Sequence, residues 1–530
     1  MTQGNRVAKA AGIIMISMMI SRILGYLRDV VIYAQFGQNR VTDAYNAAFS
    51  IPDFLYMILV GGALSAAFIP VFSSYLAEDK EQEAWQVASI LFNSIMLLLI
   101  VGVTLGLIYT PFLIKILVPG FDKETTELTV MLTRIMFAQT FFMVLSGISI
   151  GILNSYQYFL APAIGSVLYN LSIILVGWVL SLKYGIVGFS IGVVVGAMLN
   201  FAVQVPFILK KGFKYHFSFN LRNPGVQKII ILILPVFIGL SVNQINLFVN
   251  QFLASSLEGG LVAALRTGQR LMQMPIAVFA IAIGVAVFPT LTNYAAKGDM
   301  INFKRATSIG LRAVFFITLP SAAGLMALKL PLVRFLFEQG KFSSEATVAT
   351  AAAVFFYSLG IFAYSGIQIL NRTFYAIQDT KTPVTVGICT IIINIALNFG
   401  LIGPMGHGGL ALAYSMAGGF NLFLLMLVLK YKITGYGGWR IVHSFGKSLI
   451  ASIVMGISVY FGVNYFEFFV DISTKTMQGL QVMIGVLLGT CIYSIIAYIF
   501  KMDELELVLD ILLKKIPSRI MKKHRKTSRK

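Results

Sequence analysis

Charge is what this chain has least of. Of 530 residues only 12% are Asp, Glu, Lys or Arg, about half the roughly 25% of a soluble protein. Cysteine is nearly absent. Cys389 and Cys491 lie far apart in apolar runs, which excludes a disulfide framework and a cysteine-rich metal site. Each is expected to be a buried small hydrophobe. The four histidines, His216, His407, His443 and His524, are scattered in loops or near segment ends without ligand spacing. Gly446-Lys447-Ser448 ends like a phosphate loop, but Ile441 stands where that motif needs glycine. No nucleophile–base pair is evident, so nothing points to an enzyme. Acids are scarcer than bases, and the net charge is +20. Most of the excess lies in short loops and the C-terminal tail, a pattern set by membrane orientation rather than by nucleic acid.

What is present is hydrophobicity: 58% of residues are apolar and the mean hydropathy is +0.84. The apolar runs reach about 20 residues or more and do not alternate, which predicts an all-α polytopic membrane protein rather than a barrel. Fourteen spans are expected, at 7–36, 42–77, 85–116, 126–155, 158–182, 185–209, 227–256, 260–296, 305–337, 346–377, 383–402, 408–430, 441–466 and 477–500. The first carries Arg22 and Arg28 and no small-residue cleavage site, so it reads as a retained span and not a signal peptide. Lysine and arginine concentrate in alternate loops: Lys210, Lys211, Lys214, Arg222 and Lys228; then Lys297, Lys304 and Arg305; then Lys430, Lys432 and Arg440. Both termini are therefore expected in the cytoplasm.

The chain repeats itself. Pro70-Val-Phe-Ser-Ser-Tyr75 reappears as Pro289-Thr-Leu-Thr-Asn-Tyr294, at an offset of 219. Pro111 and Pro331 are offset by 220, Ile152-Leu153-Asn154 and Ile369-Leu370-Asn371 by 217, and Gly188–Asn200 and Gly409–Asn421 by 221. Two six-helix repeats follow, with one shared orientation, because the offset pairs odd spans with odd spans. The expected organisation is an N-lobe at 1–210 (spans 1–6), a basic cytoplasmic linker at 211–226 and a C-lobe at 227–432 (spans 7–12). Two extra helices follow at 433–500, then a basic cytoplasmic tail at 501–530. Met502–Ile516 reads as a short interfacial helix. The run from Arg519 to Lys530 reads as an anchor on anionic lipid.

Charges inside apolar spans are costly and are kept for a partner, a cavity or a substrate. Ser21-Arg22-Ile-Leu-Gly25-Tyr-Leu-Arg28-Asp29 places three in the first span. Arg22 and Asp29 share a helix face, with Arg28 roughly 120° away. One arginine is expected to pair with an acid while the other, Arg28 by preference, faces open space. The competing reading is a set of ion pairs bracing spans 1 and 2, with Asp43 as partner. Gly25 suits a close helix approach. Arg266 and Arg270 lie four apart on one face of the eighth span with no acid in it. Such arginines suit an anionic ligand, since guanidinium binds phosphate bidentately and stays charged. Arg134 and Arg312 stand alone in their spans, and Arg372 with Asp379 reads as a structural pair. Asn243, Gln244, Asn246 and Asn250 form a polar stripe that is either interhelical glue or cavity lining.

These residues resemble a known family. Ser21-Arg22-x-Leu24-Gly25-x-x-Arg28-Asp29, Thr42-Asp43-Ala44, Ile51-Pro52 and Gly62-Ala63-Leu64-Ser65-x-Ala67-Phe68-Ile69-Pro70 are similar to lipid II flippases of the MurJ type. That family lies in the multidrug/oligosaccharidyl-lipid/polysaccharide exporter superfamily. Arg270-Leu271-Met272-x-x-Pro275 and Gln378-Asp379-Thr380-Lys381-Thr382-Pro383 also match. The resemblance implies transfer of undecaprenyl-pyrophosphate-linked peptidoglycan precursor, lipid II, to the outer leaflet by alternating access. It implies a cationic cavity for the pyrophosphate and a lipid-tail groove near spans 13 and 14. It places the family's arginines at Arg22, Arg28 and Arg270 and its aspartate at Asp43; Asp29 and Arg266 join them here as cavity residues, with Ser21, Asp53 and Asn250 secondary. After Ile51-Pro52 the family pattern continues with arginines and a Glu, where this chain has Asp53-Phe54-Leu55-Tyr56-Met57 and Gly61. Asn250 stands where some members carry an acid linked to sodium, so the driving force is expected to be the membrane potential or a monovalent cation. No cofactor and no nucleic acid are expected, and the chain is expected to act as a monomer among membrane lipids. The alternative is export of another polyprenyl-linked oligosaccharide or of small molecules.

Overall fold

In an apolar run no water is available to the backbone, so each N–H and C=O must bond within its own segment, and helices result. The computed structural model describes residues 3–61 and 67–505, which contain helices and turns and no strand. The Gly62–Ser65 motif, most of the expected interfacial helix and the Arg519–Lys530 run lie outside the described residues, as does the side chain of Asn243.

The chain divides into two compact units, one of Met1–Ala263 with Phe337–Ala346, the other of Ala264–Leu336 with Thr347–Lys530. Along the first run α1 (Gln3–Phe36), α2 (Arg40–Ala48), α3 (Ser50–Tyr56), a π-helical turn (Met57–Gly61), α4 (Ile69–Ala77), α5 (Glu81–Leu117), α6 (Lys123–Ser155), α7 (Leu160–Tyr184), α8 (Ile186–Ala202), α9 (Val205–Leu209) and α10 (Pro224–Ser255). Then come α11 (Leu261–Pro275), a second π-helical turn (Ile276–Ala280), α12 (Ile281–Ala296), α13 (Met300–Ala327), α14 (Lys329–Phe337), α15 (Ser344–Ser358), α16 (Ile361–Ala376), α17 (Lys381–Lys432), α18 (Gly438–Phe469) and α19 (Lys475–Ile499). Among the described residues nine helices are long and apolar enough to cross a membrane, or ten if α15 and α16, bent by 43°, form one span. The expected fourteen included the broken series 42–77 and divided α17 in two.

The sequence repeat reappears in the backbone. The two π-helical turns, at 57–61 and 276–280, stand 219 residues apart. Residues with positive φ recur in step: Asp79 with Gly298, Gln157 with Gln378, Gly185 with Gly406, and Gly212 with Thr434. Gly185 (φ 58°, ψ −142°) turns α7 into α8. Gly406 (φ 55°, ψ −133°) breaks α17 at the matching place. That corner of backbone space is close to glycine-only.

Close helix contact is where small residues matter, because lipid gives helices no hydrophobic reason to associate. Gly188, Gly192 and Gly196 form one row on α8 against α7. A Cβ at Gly188 would lie 2.4 Å from the Ser181 nitrogen, one at Gly192 2.9 Å from that of Gly177, and one at Gly196 2.7 Å from the Tyr169 carbonyl oxygen. Gly25 is different: its nearest neighbour would be Asn170 Oδ1 at 3.7 Å, an ordinary contact. In the first unit Phe72 sits buried between Phe68 and Trp85. In the second, Phe316, Met455 and Tyr493 join α13, α18 and α19, and Tyr493 donates to the Phe316 carbonyl at 2.7 Å. Cys389 and Cys491 are exposed on helix surfaces, not buried. An apolar neighbourhood in sequence does not imply burial when the surroundings are lipid.

Candidate functional site

The charged stretch of α1 is built around an ion pair between adjacent residues. Arg28 Nη2 and Nε donate to Asp29 Oδ1 at 3.0 and 3.1 Å. Arg28 Nη1 donates to Asn170 Oδ1 on α7 at 3.4 Å, and the Asn170 amide donates in turn to Ser21 Oγ at 3.1 Å. Ser21 Oγ donates to the Ser166 carbonyl at 3.3 Å. Ser21, Arg28, Asp29 and Asn170 thus form one half-buried network, and Arg22 lies exposed. A helical wheel puts Arg22 on the Asp29 face and favours Arg28 for the open position. The roles are reversed because a long guanidinium stem reaches its neighbour's carboxylate across about 100° of helix, and Asn170 holds it there. Asn170 was not singled out from the sequence, although an asparagine inside an apolar run is itself a signal.

Asp43 performs a task the sequence does not suggest. It is fully buried in α2. Its Oδ2 accepts from the Gly260 amide at 2.6 Å and its Oδ1 from the Ala263 amide at 2.9 Å. The first amides of a helix lack intrahelical partners, and the residue before α11 is Gly260, which has no side chain to cap with. Asp43 supplies the cap from a distance of 217 residues, where a carboxylate also meets the positive end of the helix dipole. Arg40, one turn earlier, donates to the carbonyls of Leu257 at 2.9 Å and Ser255 at 3.4 Å, and lies over the Phe121 ring. Ser255 Oγ accepts from the Gly120 amide at 3.2 Å. The start of α2 and the connection 255–263 are therefore clasped by both signs of charge.

In the second unit Arg266 and Arg270 are half-buried on α11. Gly268, between them, packs on α15, where a Cβ would lie 2.9 Å from that of Ala353. Two residues of helix turn about 200°, so both arginines occupy the face turned away from α15. Secondary positions are polar and engaged. Asp53 Oδ1 accepts from Gln139 at 3.5 Å, and Asn250 donates to the Asn246 carbonyl at 2.9 Å. Among the described residues no group of three or more His, Cys, Asp or Glu could hold a metal ion.

Two other expectations change. Arg312 does not stand alone: it donates to Glu504 Oε1 at 2.6 Å and Asp503 Oδ2 at 2.9 Å, and buried Glu504 also accepts from Ser444 at 2.7 Å. Asp379 is held by Lys432 and by the Thr382 hydroxyl and amide rather than by Arg372; Arg372 instead covers Gly284. Burial pushes the Asp379 carboxyl up, but Lys432 and Thr382 outweigh it, and it sits below the usual carboxylate range. Asp122, capping α6, is also lowered, chiefly by the Thr125 amide.

Comparison with known proteins assigns the architecture. The family model described as lipid II flippase MurJ matches residues 32–479. A probable lipid II flippase MurJ from Vibrio cholerae is 31% identical over 435 residues, 80% of this chain and 83% of the relative. A lipid II flippase MurJ from Burkholderia cenocepacia is 31% identical over 424 residues, covering 78% and 81%. A solved lipid II flippase MurJ in an inward closed conformation superposes with a TM-score of 0.77 at 29% identity, over 92% of this chain and 99% of that one. An inward-facing multidrug transporter of the MATE family shares the fold at 14% identity, with a TM-score of 0.67 over 79% of this chain and 98% of that one. With its repeated helical halves and arginine-bearing spans, the chain belongs to the lipid II flippase MurJ family.

Proposed function

We propose that this protein carries lipid II, an undecaprenyl-pyrophosphate-linked glycopeptide, from the inner to the outer leaflet of a bacterial cytoplasmic membrane, with both termini in the cytoplasm. The step supplies peptidoglycan synthesis, and so the cell wall and cell shape. No covalent bond is made or broken. The observation that carries the reading is the family match over residues 32–479, in a chain whose apolar helices keep Arg22, Arg28, Arg266 and Arg270.

The mechanism we infer is alternating access around a cationic cavity. Exposed Arg22 and the α11 pair Arg266 and Arg270 meet the pyrophosphate. Arg28 is oriented by Asp29 and Asn170, so its effect on substrate passes through the geometry of that network. Asp43 and Arg40 fix the connection 255–263 and with it the start of α11, the helix that carries Arg266 and Arg270. The prenyl tail lies along α18 and α19. With Asn250 in place of an acid, the membrane potential acting on transported charge, at about 2.3 kcal/mol per charge per 100 mV, or a monovalent cation drives the cycle. One chain suffices for transport.

Reconstituted protein should flip lipid II in proteoliposomes in preference to other polyprenyl-linked sugars. Arg270→Ala and Arg28→Ala should abolish both flipping and rescue of a flippase-depleted bacterium. Full activity in both variants would refute the cavity assignment, and equal transport of all polyprenyl-linked sugars would refute the substrate assignment.

A further inference from the structure

The first unit contains a second feature that the flipping reading leaves unused. A cavity of about 600 Å³ opens beside α5, α6 and α8–α9, within the roughly 300–1,000 Å³ typical of ligand pockets. Its walls are almost wholly apolar. Leu97, Ile100 and Phe141 line it and are themselves exposed on the helix surfaces, as a wall open to lipid would be.

The cavity has a strap. Residues 213–219 run without helix, and the odd members Phe213, Tyr215, Phe217 and Phe219 all line the cavity. In extended chain the even positions turn out of the cavity; of these Lys214 and His216 are exposed, so Lys214 is open to a headgroup that stays outside the cavity. Ser89 and Asn93, one turn apart on α5, hold the strap. Asn93 donates to the Ser218 carbonyl at 3.0 Å and accepts from the Tyr215 hydroxyl at 2.7 Å. The His216 amide donates to Ser89 Oγ at 3.1 Å. Of the polar lining residues, Asn93 is thus consumed by the strap and Ser149 donates to the Leu145 carbonyl of its own helix, leaving the interior for an apolar guest.

Charge identifies the guest's other end. From 205 to 228 there is no acid, and the stretch holds Lys210, Lys211, Lys214, Arg222 and Lys228. Lys211 lies over the ring of Tyr156, whose hydroxyl donates to Glu81. Exposed Lys210 and Lys214 adjoin the lining residues Leu209, Phe213 and Tyr215. The positive-inside rule assigns this basic loop to the cytoplasmic surface, where anionic lipid headgroups lie. We propose that the strapped cavity is a binding site for an anionic phospholipid of the inner leaflet, one acyl chain entering beneath the aromatic strap and the phosphate resting against Lys210 and Lys214.

The test uses the full chain, purified and mixed with phosphatidylglycerol or with phosphatidylcholine of equal chain length, and read by native mass spectrometry. Phosphatidylglycerol carrying a photoreactive acyl chain is cross-linked in parallel. Phosphatidylglycerol should be retained preferentially and should label peptides from 92–100, 141–152 and 205–219. Each lysine near an anionic headgroup is worth about fivefold, so Lys210→Gln with Lys214→Gln should weaken retention by about 25-fold. Leu97→Trp, a change on an exposed position that fills the cavity, should abolish labelling without disturbing the fold. Equal retention of both lipids, labelling elsewhere, or unchanged binding in both variants would overturn the proposal. So would displacement of the lipid by a polyprenyl phosphate, which would make the cavity a second seat for the substrate's tail. None of these readouts depends on flipping.

Discussion

Replacing Asp43 by asparagine tests whether this residue is a helix cap or a ligand for substrate. The carboxylate accepts from two amides, those of Gly260 and Ala263, at 2.6 and 2.9 Å. Asparagine has one acceptor oxygen, so one amide loses its bond and faces an NH₂ group instead. A buried amide left without its partner costs about 1–3 kcal/mol, and losing the negative charge at a helix start costs about 0.3–1 kcal/mol. The midrange sum, about 2–3 kcal/mol, should appear as local opening of the first turn of α11. Hydrogen exchange of the peptide spanning residues 258–266 should then accelerate by about thirtyfold to a hundred and fiftyfold, while the α7–α8 hairpin keeps its protection. Unchanged exchange in that peptide, together with lost lipid II binding, would refute the capping argument and return Asp43 to the cavity wall.

Gly185→Ala and Gly406→Ala should each destabilise by about 1–3 kcal/mol. No atom beyond the adjoining backbone lies within 4 Å of either new Cβ, so thermal unfolding measures local backbone strain without a clash against neighbouring helices. Arg312→Ala should cost about 3–5 kcal/mol by leaving buried Glu504 without its counter-charge; adding Glu504→Gln should restore much of it, and an additive double-mutant cycle would show the pair to be uncoupled. Asp379 has a lowered folded-state pKa, so it stabilises the protein above the unfolded carboxylate value of about 3.9 and that contribution fades as pH falls through the folded value. Denaturation midpoints between pH 3 and pH 7 should therefore slope less in Asp379→Asn than in the parent, and identical slopes would contradict the Lys432–Asp379 pairing.

Hydropathy, the scarcity of charge and the offset near 220 residues were enough to read a helical membrane protein made of two copies, because these are local or periodic properties. The backbone then repeats what the side chains announced: paired π-helical turns and paired positive-φ positions follow the same offset. The resemblance over spans 1 and 2 was legible for the same reason, since Ser21 to Asp29 and Thr42 to Ala44 are contiguous motifs. Partner choice was not legible. Asp29 takes Arg28 rather than Arg22, Asp43 caps a helix more than two hundred residues away, and Arg312 finds Glu504 across almost as many. A helical wheel ranks residues on one cylinder by angle; it contains neither the reach of a guanidinium stem nor the helices packed around it. That costly charges lie inside apolar helices is plain from residue order alone. Which of them are neutralised by neighbours depends on packing, because a carboxylate or an amide 4 Å away outweighs any periodicity along the chain.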